Sequence, residues 1–444
     1  MDEHLYKRYH SLLADFIAFK SISTDPAFAK ELTQTAHWLC DLFTSEGFES
    51  KIVTGYDNPI VLASLKIDPT LPTILIYGHY DVQPAEKNEG WKDDPFTLQT
   101  TQERLIGRGV VDNKGQVMVH IANVLELHKN DALRYNVTFF IEGNEETGSP
   151  HLSQFVHDYN DELKADYVLI SDGEILENLP VIEVSLRGVV NATITLRALK
   201  NDLHSGLYGG AAPNAAHEAA QLIDKLVDTN NGNHVLIPKF YDSVTPPSDD
   251  ELENNKCIPF SDDIHATITG SKYPFNGSKY DIYTQTGLVP SLEVTGVHGG
   301  YTGIGYKNSI PATSMIKLNI RLVDGQDPLT IQRLLKEYIS RAIPEYVTYE
   351  IDFDKSCAAV KIDISDHIFS TIQDILTHVW GCKPVNKHVG GSIPIVTTFQ
   401  QVLKVPIIML PLGNEDCNMH GVDENFRIEY LRKALQVSKK VLGK

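Results

Sequence analysis

The sequence predicts an α/β fold in which a largely parallel sheet is flanked by helices and a smaller α+β domain is inserted. Four short runs are apolar on both faces, as strands buried between layers of helices are. Helical patterns alternate with these runs, which is typical of a parallel sheet. The chain has 444 residues, more than the roughly 250–300 that one hydrophobic core serves. The four runs are residues 73–77, 137–141, 167–170 and 405–410.

The elements of the larger domain follow from hydrophobic periodicity. Tyr9, Leu13 and Phe16 recur at helical spacing near the start, and a second apolar stripe ends near Gly47. A third helix is predicted over residues 115–127, between the first and second apolar strands. After residue 364 the alternation of helix and strand resumes. Residues 1–179 and 356–444 therefore form one predicted domain.

The middle of the chain, residues 180–355, reads differently and forms the inserted domain. Residues 181–199 alternate between apolar and polar side chains, which indicates strands with one solvated face. The further predictions are helices over residues 213–227 and 328–343, and strands over residues 314–323 and 346–353. The polar stretch at residues 246–256 is predicted to be a surface loop.

Composition limits the possible partners and the compartment. The chain has 39 Lys and Arg against 58 Asp and Glu, a net charge of −19, which opposes binding to nucleic acid and to anionic membranes. No apolar stretch approaches the 18 residues of a membrane span, and the charged N-terminus has no apolar segment behind it. The five cysteines are scattered without a CxxC pair, which argues against a disulfide framework and predicts the reducing cytoplasm.

Each apolar strand leads into potential metal ligands. The carboxyl ends of neighbouring strands in an open α/β sheet lie together, so these side chains should converge there. A further carboxylate stands on a glycine-flanked loop before the third helix. The candidate residues are His79, Asp81, Asp112, Glu145, Glu146, Asp172 and His420.

Taken singly, these residues have ordinary interpretations. His79 and Asp81 could be a surface pair, Glu145 and Glu146 a solvated acidic loop, and the remaining residues caps or turns. Taken together, two histidines and three carboxylates form a nitrogen and oxygen set that suits zinc, cobalt or manganese. Asp81 lies on the same strand face as His79 and could hold its ring. Of the paired glutamates, one could bind metal while the other acts as a general base.

With these residues identified, the sequence resembles a family of dinuclear metallopeptidases over almost its whole length. The family includes carboxypeptidase G, acetylornithine deacetylase, succinyl-diaminopimelate desuccinylase and the carnosinase-type dipeptidases. The resemblance rests on Gly-His-Tyr-Asp-Val-Gln-Pro at residues 78–84 and on Gly-Trp followed by Asp-Pro-Phe at residues 90–96. It also rests on the segments 107–115 and 142–149.

The resemblance implies a role for each matching residue. Asp112 would bridge two divalent ions, zinc with manganese or cobalt as alternatives. His79 and Asp172 would complete one site, and Glu146 and His420 the other. Glu145 would be the general base, Asp81 would orient His79, and the Asp112–Asn113 peptide would be cis.

Three segments of the inserted domain resemble the dipeptidase branch. In the lid motif at residues 202–210, His204 would reach the site of a neighbouring subunit and stabilise the oxyanion. Arg321 would bind the substrate carboxylate, and Gly391 and Ser392 would lie in a loop that holds the C-terminal end of the substrate. The segment 308–311 resembles the deacylase version instead, with Asn308 contacting substrate.

The resemblance therefore implies a homodimeric metallohydrolase that cleaves dipeptides, with the inserted domain as lid and dimer contact. Hydrolysis of small N-acyl amino acids is the first alternative. A non-catalytic binding protein on the same fold is the second. Around His420 the sequence reads Met-His-Gly, where the dipeptidases carry Ala-His-Ser. No nucleic acid or membrane partner is expected.

Overall fold

The structure is a computed structural model that describes residues 3–176, 178–259, 270, 279–354, 356–391 and 393–444. Within it the chain divides into two compact units. The first contains residues 1–184, 362–387 and 394–444, and the second contains residues 185–361 and 388–393. The second unit thus includes a short segment, 388–393, that the sequence-based boundaries at 179/180 and 355/356 place in the other domain.

The described helices are numbered in chain order. They are α1 Glu3–Ile17, α2 Ala29–Ser45, α3 Lys114–Lys129, α4 Leu152–Asp158, α5 Ser205–Tyr208, α6 Ala215–Leu226, α7 Asp249–Lys256, α8 Ile282–Gly287, α9 Pro328–Ala342, α10 His367–Trp380, α11 Pro394–Val402 and α12 Ile428–Leu442. Short 3₁₀ turns add Pro26–Phe28, Lys87–Glu89 and Glu145–Thr147. None of the helices in the described ranges is both long and apolar enough to cross a bilayer.

The strands are numbered in the same way. They are β1 Glu49–Val53, β2 Ile60–Leu65, β3 Thr73–His79, β4 Gln99–Thr100, β5 Arg104–Ile106, β6 Asn136–Glu142, β7 Tyr167–Ile170, β8 Val181–Leu186, β9 Gly188–Arg197, β10 Leu203–His204, β11 Val227–Asp228, β12 His234–Val235, β13 Ser291–Gly299, β14 Ser309–Ile310, β15 Thr313–Leu322, β16 Thr348–Phe353, β17 Val360–Lys361, β18 Val385–Val389, β19 Ile407–Met409 and β20 Asn425–Arg427.

The first unit is built on a sheet whose centre is parallel. Its strands lie in the order β1-β2-β6-β3-β7-β19-β8. The pairs β6–β3, β3–β7 and β7–β19 are parallel, whereas β1–β2, β2–β6 and β19–β8 are antiparallel. The four strands predicted from apolar runs are therefore neighbours that run in one direction. Their carboxyl ends meet at one edge of the sheet.

Helices cover both faces of this sheet. On one face Tyr77 of β3 packs edge-on against Phe399 of α11, with ring centroids 5.7 Å apart. On the other face Gly78 lies so close to α3 that a Cβ atom would sit 2.8 Å from the Val117 side chain. This close approach requires glycine at position 78. The predicted α/β class, a largely parallel sheet flanked by helices, is confirmed.

The second unit has its own antiparallel sheet and core. Its strands lie in the order β13-β15-β9-β16, and every pairing is antiparallel. Burial alternates along β9 and β15, as it does in strands with one covered face. The buried side chains of β9 and β15 pack with Leu222 of α6 and Leu335 of α9 in one cluster. The predicted strand and helix pattern of this region is thus confirmed.

One element prediction in this region is wrong. Residues 246–256, predicted to be a loop, contain helix α7. The helix has no apolar stripe, and so hydrophobic periodicity gives no sign of it. Its signal lies at its ends: Ser248 and Glu251 form a reciprocal capping box, acidic residues fill the first turn, and Lys256 stands in the last.

Candidate metal centre

His79, the last residue of β3, is fully buried at the carboxyl edge of the sheet. Its Nδ1 atom lies 3.0 Å from the Asp81 carbonyl oxygen and 3.3 Å from Asp81 Oδ1. Its Nε2 atom faces Asp112 Oδ1 at 3.1 Å and Asp172 Oδ2 at 3.6 Å. Asp81 therefore contacts the nitrogen that points away from the other carboxylates, as a residue that orients a metal-binding histidine does.

Asp112 stands between the two predicted sites. Its Oδ1 faces His79, while its Oδ2 lies 2.7 Å from His420 Nε2. His420 Nε2 is also 3.4 Å from Glu146 Oε2. The five predicted ligands thus form two groups that share one residue: His79, Asp112 and Asp172, and then Asp112, Glu146 and His420.

The dimensions of both groups fit a divalent ion. Within each group the candidate ligand atoms lie within 4.8 Å of one another. With metal–ligand bonds of about 2.0–2.1 Å, tetrahedral ligand atoms are separated by roughly 3.3 Å. In addition, His79 Nε2 and Glu146 Oε1 are buried and make no hydrogen bond within the described part of the chain. Buried polar atoms without a partner are unfavourable unless something else binds them.

The electrostatics also favour a cation. Burial, with the Asp112 carboxylate, raises the pKa of Glu146 to about 7. Burial raises the pKa of Asp172 as well. At Asp112 burial acts in the same direction, yet the adjacent His420 and His79 rings hold its pKa well below the usual value. The site gathers more carboxylates than the two histidines can balance, and bound divalent ions would stabilise their ionised forms.

Glu145, the predicted base, begins the 3₁₀ turn after β6 and belongs to neither ligand group. Its backbone N–H donates to Asp81 Oδ1 (3.2 Å), and the N–H of Glu146 donates to Asp81 Oδ2 (3.1 Å). Burial, with the nearby carboxylates, raises the pKa of Glu145 well above its usual value. Asp81 thus holds the paired glutamates as well as His79.

Two supporting residues were not predicted from the sequence. Asn113 Nδ2 donates to Asp172 Oδ1 (3.1 Å) and to the Ser171 carbonyl (2.6 Å). Gln83 Nε2 donates to Glu146 Oε2 (2.6 Å). Both lie within the motifs that mark the family resemblance, which is the signal that could have identified them. The Asp112–Asn113 peptide bond is cis, as the resemblance implies.

In the second unit, His204 and Asn308 belong to neighbouring segments. His204 in β10 pairs with Ser309 in β14, and the Ser205 N–H donates to the Asn308 carbonyl at 3.0 Å. His204 Nδ1 accepts from the Gly206 N–H at 3.1 Å, which places the ring proton on Nε2. The exposed His204 side chain thus offers a hydrogen-bond donor.

Arg321 lines a cavity of about 900 Å³ in the same unit, together with Arg187, Asn319 and Glu293. Its Nε donates to Asn319 Oδ1 at 3.1 Å. Arg187, which was not predicted as a site residue, holds the segment that contains Gly391 through hydrogen bonds. The Arg187 backbone N–H donates to the Gly391 carbonyl (3.0 Å), and its Nε donates to the Gly390 carbonyl (3.1 Å). Ser392 lies outside the described residues.

Comparison with known proteins places this geometry in a family. Residues 75–444 match the family described as "Peptidase family M20/M25/M40". The chain is 32% identical to the "Cys-Gly metallodipeptidase DUG1" of Candida albicans, over 96% of this chain and 92% of that protein. It is 30% identical to the "Beta-Ala-His dipeptidase" of Mus musculus, over 82% of this chain and 75% of that protein.

A solved structure agrees with these relatives. The M20 family metallo-carboxypeptidase Sso-CP2 from Sulfolobus solfataricus superposes with a TM-score of 0.86 at 28% identity, covering 99% of this chain and 98% of that one. Two ligand groups that share Asp112, on a parallel sheet edge, are thus found in a chain that matches known metallopeptidases over nearly its whole length. The chain belongs to the M20/M25/M40 peptidase family.

Proposed function

We propose that this protein is a metal-dependent dipeptidase that hydrolyses the peptide bond of dipeptides with a pair of divalent ions, zinc in the first instance and manganese or cobalt as alternatives. One observation carries the proposal: the two carboxylate oxygens of Asp112 face different histidines, His79 and His420. That arrangement suits a bridging ligand. The dipeptide substrate class is supported by the relatives of Candida albicans and Mus musculus, both of which are dipeptidases by name.

The proposal gives each residue a role that its position supports. When bound, a pair of metal ions lowers the pKa of a water molecule and polarises the scissile carbonyl. Glu145 accepts the proton of the attacking water and delivers it to the leaving amine. Its raised pKa suits a group that must hold this proton between the two steps. Asp81 holds Glu145 in place through the backbone N–H.

The second unit would supply the contacts to the substrate ends. His204 donates its Nε2 proton to the developing oxyanion, a role for which the Gly206 contact selects the required tautomer. Arg321, a cation in a cavity that also contains Arg187, binds the terminal carboxylate. From the family resemblance, Gly391 and Ser392 would border the same end of the substrate, and Asn308 would make a further contact.

A homodimer that forms through this unit is part of the proposal. Leu207 is 75% exposed, and Ile304 and Tyr306 are fully exposed. Large exposed apolar side chains are common at interaction surfaces. The lid motif that carries His204 includes Leu207, so the same surface would bring His204 to a neighbouring subunit. The cytoplasmic location stays a prediction from sequence. All five cysteines are free thiols in the described structure.

Replacement of the base tests the reaction. Glu145→Gln keeps the size of the side chain and leaves both ligand groups intact, so we expect folded protein with normal metal content. The value of kcat on dipeptides should fall by about 10²–10⁴-fold, the usual contribution of a positioned base. Glu46→Gln, which removes a carboxylate that pairs with Arg8 in the first unit, is the matched control. Near-normal turnover by Glu145→Gln would exclude Glu145 as the base.

Dimer function can be tested by mixing two inactive variants. If His204 acts across subunits, Glu145→Gln and His204→Ala homodimers are each nearly inactive. Subunit exchange then creates mixed dimers in which one site has both residues, and activity returns. Sedimentation would follow dimer formation in the same samples. Activity that stays at the level of the separate variants, in mixtures shown to exchange, would rule out action across subunits.

N-acyl amino acid hydrolysis is the alternative that one observation favours, because the segment that contains Asn308 resembles the deacylase version. A panel of free dipeptides and of N-acetyl and N-succinyl amino acids separates the two. Faster turnover of dipeptides supports the dipeptidase, and faster turnover of acylated amino acids supports the deacylase. A wild-type protein that hydrolyses nothing in the panel with zinc, manganese or cobalt supplied would indicate the non-catalytic alternative.

A further inference from the structure

A buried ion pair connects the two loops that carry Asp112 and His420. Arg108 is 2% exposed and Glu424 is fully buried. Arg108 Nη1 donates to Glu424 Oε2 at 2.7 Å. The two residues are 316 positions apart in the chain, and neither belongs to a ligand group. A charged pair removed from water at this depth is stabilising only if its remaining hydrogen-bonding capacity is also satisfied.

Glu424 meets that condition through the Asp112 loop. Its Oε2 atom also accepts the Gly109 N–H (2.9 Å), and its Oε1 atom accepts the N–H groups of Val111 (2.8 Å) and Asp112 (3.0 Å). Three backbone groups over four residues therefore converge on one carboxylate. The last of them belongs to Asp112 itself, so the position of the bridging residue depends on this side chain.

Arg108 connects the ion pair to the His420 loop, although its Nε makes no hydrogen bond within the described part of the chain. Its Nη2 atom donates to the carbonyl oxygens of His420 (3.3 Å) and Gly421 (3.2 Å). His420 has φ 59°, in the left-handed region that non-glycine residues seldom adopt. Such a conformation persists where surrounding contacts hold it, and it is frequent at functional sites. The hydrogen bond from Arg108 to the His420 carbonyl is one such contact.

We propose that Arg108 and Glu424 are positioning residues that set the separation between Asp112 and His420, and thereby the metal affinity of the ligand groups to which these two residues belong. This inference rests on the proposed two-metal function. Glu424 fixes Asp112, which both ligand groups share, whereas Arg108 fixes His420, which belongs to one group only. The two residues should therefore affect metal binding differently.

Two substitutions separate these contributions. In Glu424→Gln, an NH₂ group replaces one carboxylate oxygen and faces N–H donors, so the Asp112 loop loses acceptors whichever way the amide turns. In Arg108→Lys the positive charge beside Glu424 remains. A single ammonium group, however, lacks the fork that reaches Glu424 and the carbonyls of His420 and Gly421 together.

The experiment is a titration of metal-free protein with Co²⁺, followed by calorimetry and by the visible absorbance of the ion. Wild-type protein should bind two ions. Changes to residues that support metal ligands lower affinity by about 10–100-fold. We expect a loss of this size at both sites in Glu424→Gln, and at one site in Arg108→Lys.

Leu376→Ala is the control for a merely structural effect. Leu376 is a buried residue of α10 in the first unit and belongs to neither ligand group. The Leu376→Ala substitution should lower the melting temperature of the protein. At a temperature well below melting, both Co²⁺ affinities should remain unchanged. Wild-type affinities in both Arg108→Lys and Glu424→Gln would overturn the positioning role while leaving the proposed function in place. Wild-type protein that binds no Co²⁺ would overturn the proposed metal centre and this inference with it.

Discussion

Asp112 belongs to both ligand groups, so its loss should affect the binding of both metal ions, and thermal melting can measure this. A ligand present at 1,000 times its Kd stabilises the folded state by about 4.1 kcal/mol per site. The first unit has about 260 residues, so its unfolding entropy is about 0.55 kcal/mol/K at about 2.1 cal/mol/K per residue. Each ion should therefore raise the melting temperature of this unit by about 7 °C, and the pair by about 15 °C.

The substitutions Asp112→Asn and Asp172→Asn should each remove a different share of this metal-induced rise in melting temperature. Asp172 faces only the first group, so Asp172→Asn should lose about half of the metal-induced shift. Asp112→Asn should lose most of it, because an amide offers one oxygen where a carboxylate offers two. Differential scanning calorimetry with and without added Zn²⁺ or Mn²⁺ gives the shift for each variant, and Glu46→Gln should keep all of it. The shared-ligand reasoning is refuted if Asp112→Asn keeps half of the shift or Asp172→Asn loses all of it.

Three further predictions concern the second unit and the core. His204→Gln should lower kcat by about 10²–10³-fold, as loss of an oxyanion donor does, with KM little changed; a change in KM alone would contradict this role. Arg321→Leu should raise KM for free dipeptides and leave kinetics on C-terminally amidated dipeptides nearly unchanged; equal losses on both substrates would contradict carboxylate binding. Burial lowers the pKa of His120 to about 3 in the folded protein, whereas in the unfolded chain it is about 6.5. At a pH between these two values, the unfolded chain therefore binds a proton on His120 that the folded protein does not. The free energy of unfolding should therefore fall by about 1.4 kcal/mol for each unit that the pH is lowered from 6 to 4, because of His120. Urea unfolding of metal-free His120→Asn should show a pH dependence that is weaker by this amount. An unchanged pH dependence would contradict the burial of a neutral His120.

The candidate metal centre could be proposed from sequence because most of its residues follow the ends of strands. His79 ends β3, Glu145 follows β6 and Asp172 follows β7. Each stands within four residues of the end of an apolar run, and the rule for parallel sheets then brings the three together. His420 lies eleven residues beyond the end of β19. The strand rule included it as a candidate at a greater distance from its strand, and the family resemblance then implied its role as a ligand.

The supporting structure could not be predicted in this way. The pairing of Arg108 with Glu424 depends on tertiary folding, since no local pattern links residues so distant in the chain. Helix α7 was missed because its signal lies in its caps and not in apolar periodicity. The contacts of Arg187 could not be predicted for the same reason as the Arg108–Glu424 pair. They join Arg187 to the carbonyls of Gly390 and Gly391, which are far from it in sequence.

The two ligand groups differ in their access to solvent, and this has a consequence for how the ions exchange. The side chains of His79 and Asp172 are 0% and 10% exposed, whereas that of His420 is 52% exposed. A chelator in solution could reach an ion at the exposed His420 directly, whereas an ion at the buried His79 would first have to pass through the protein. Brief treatment with a chelator should therefore leave a half-loaded enzyme with its inner ion retained. Refilling the vacated outer position with a different element would then give a mixed-metal protein.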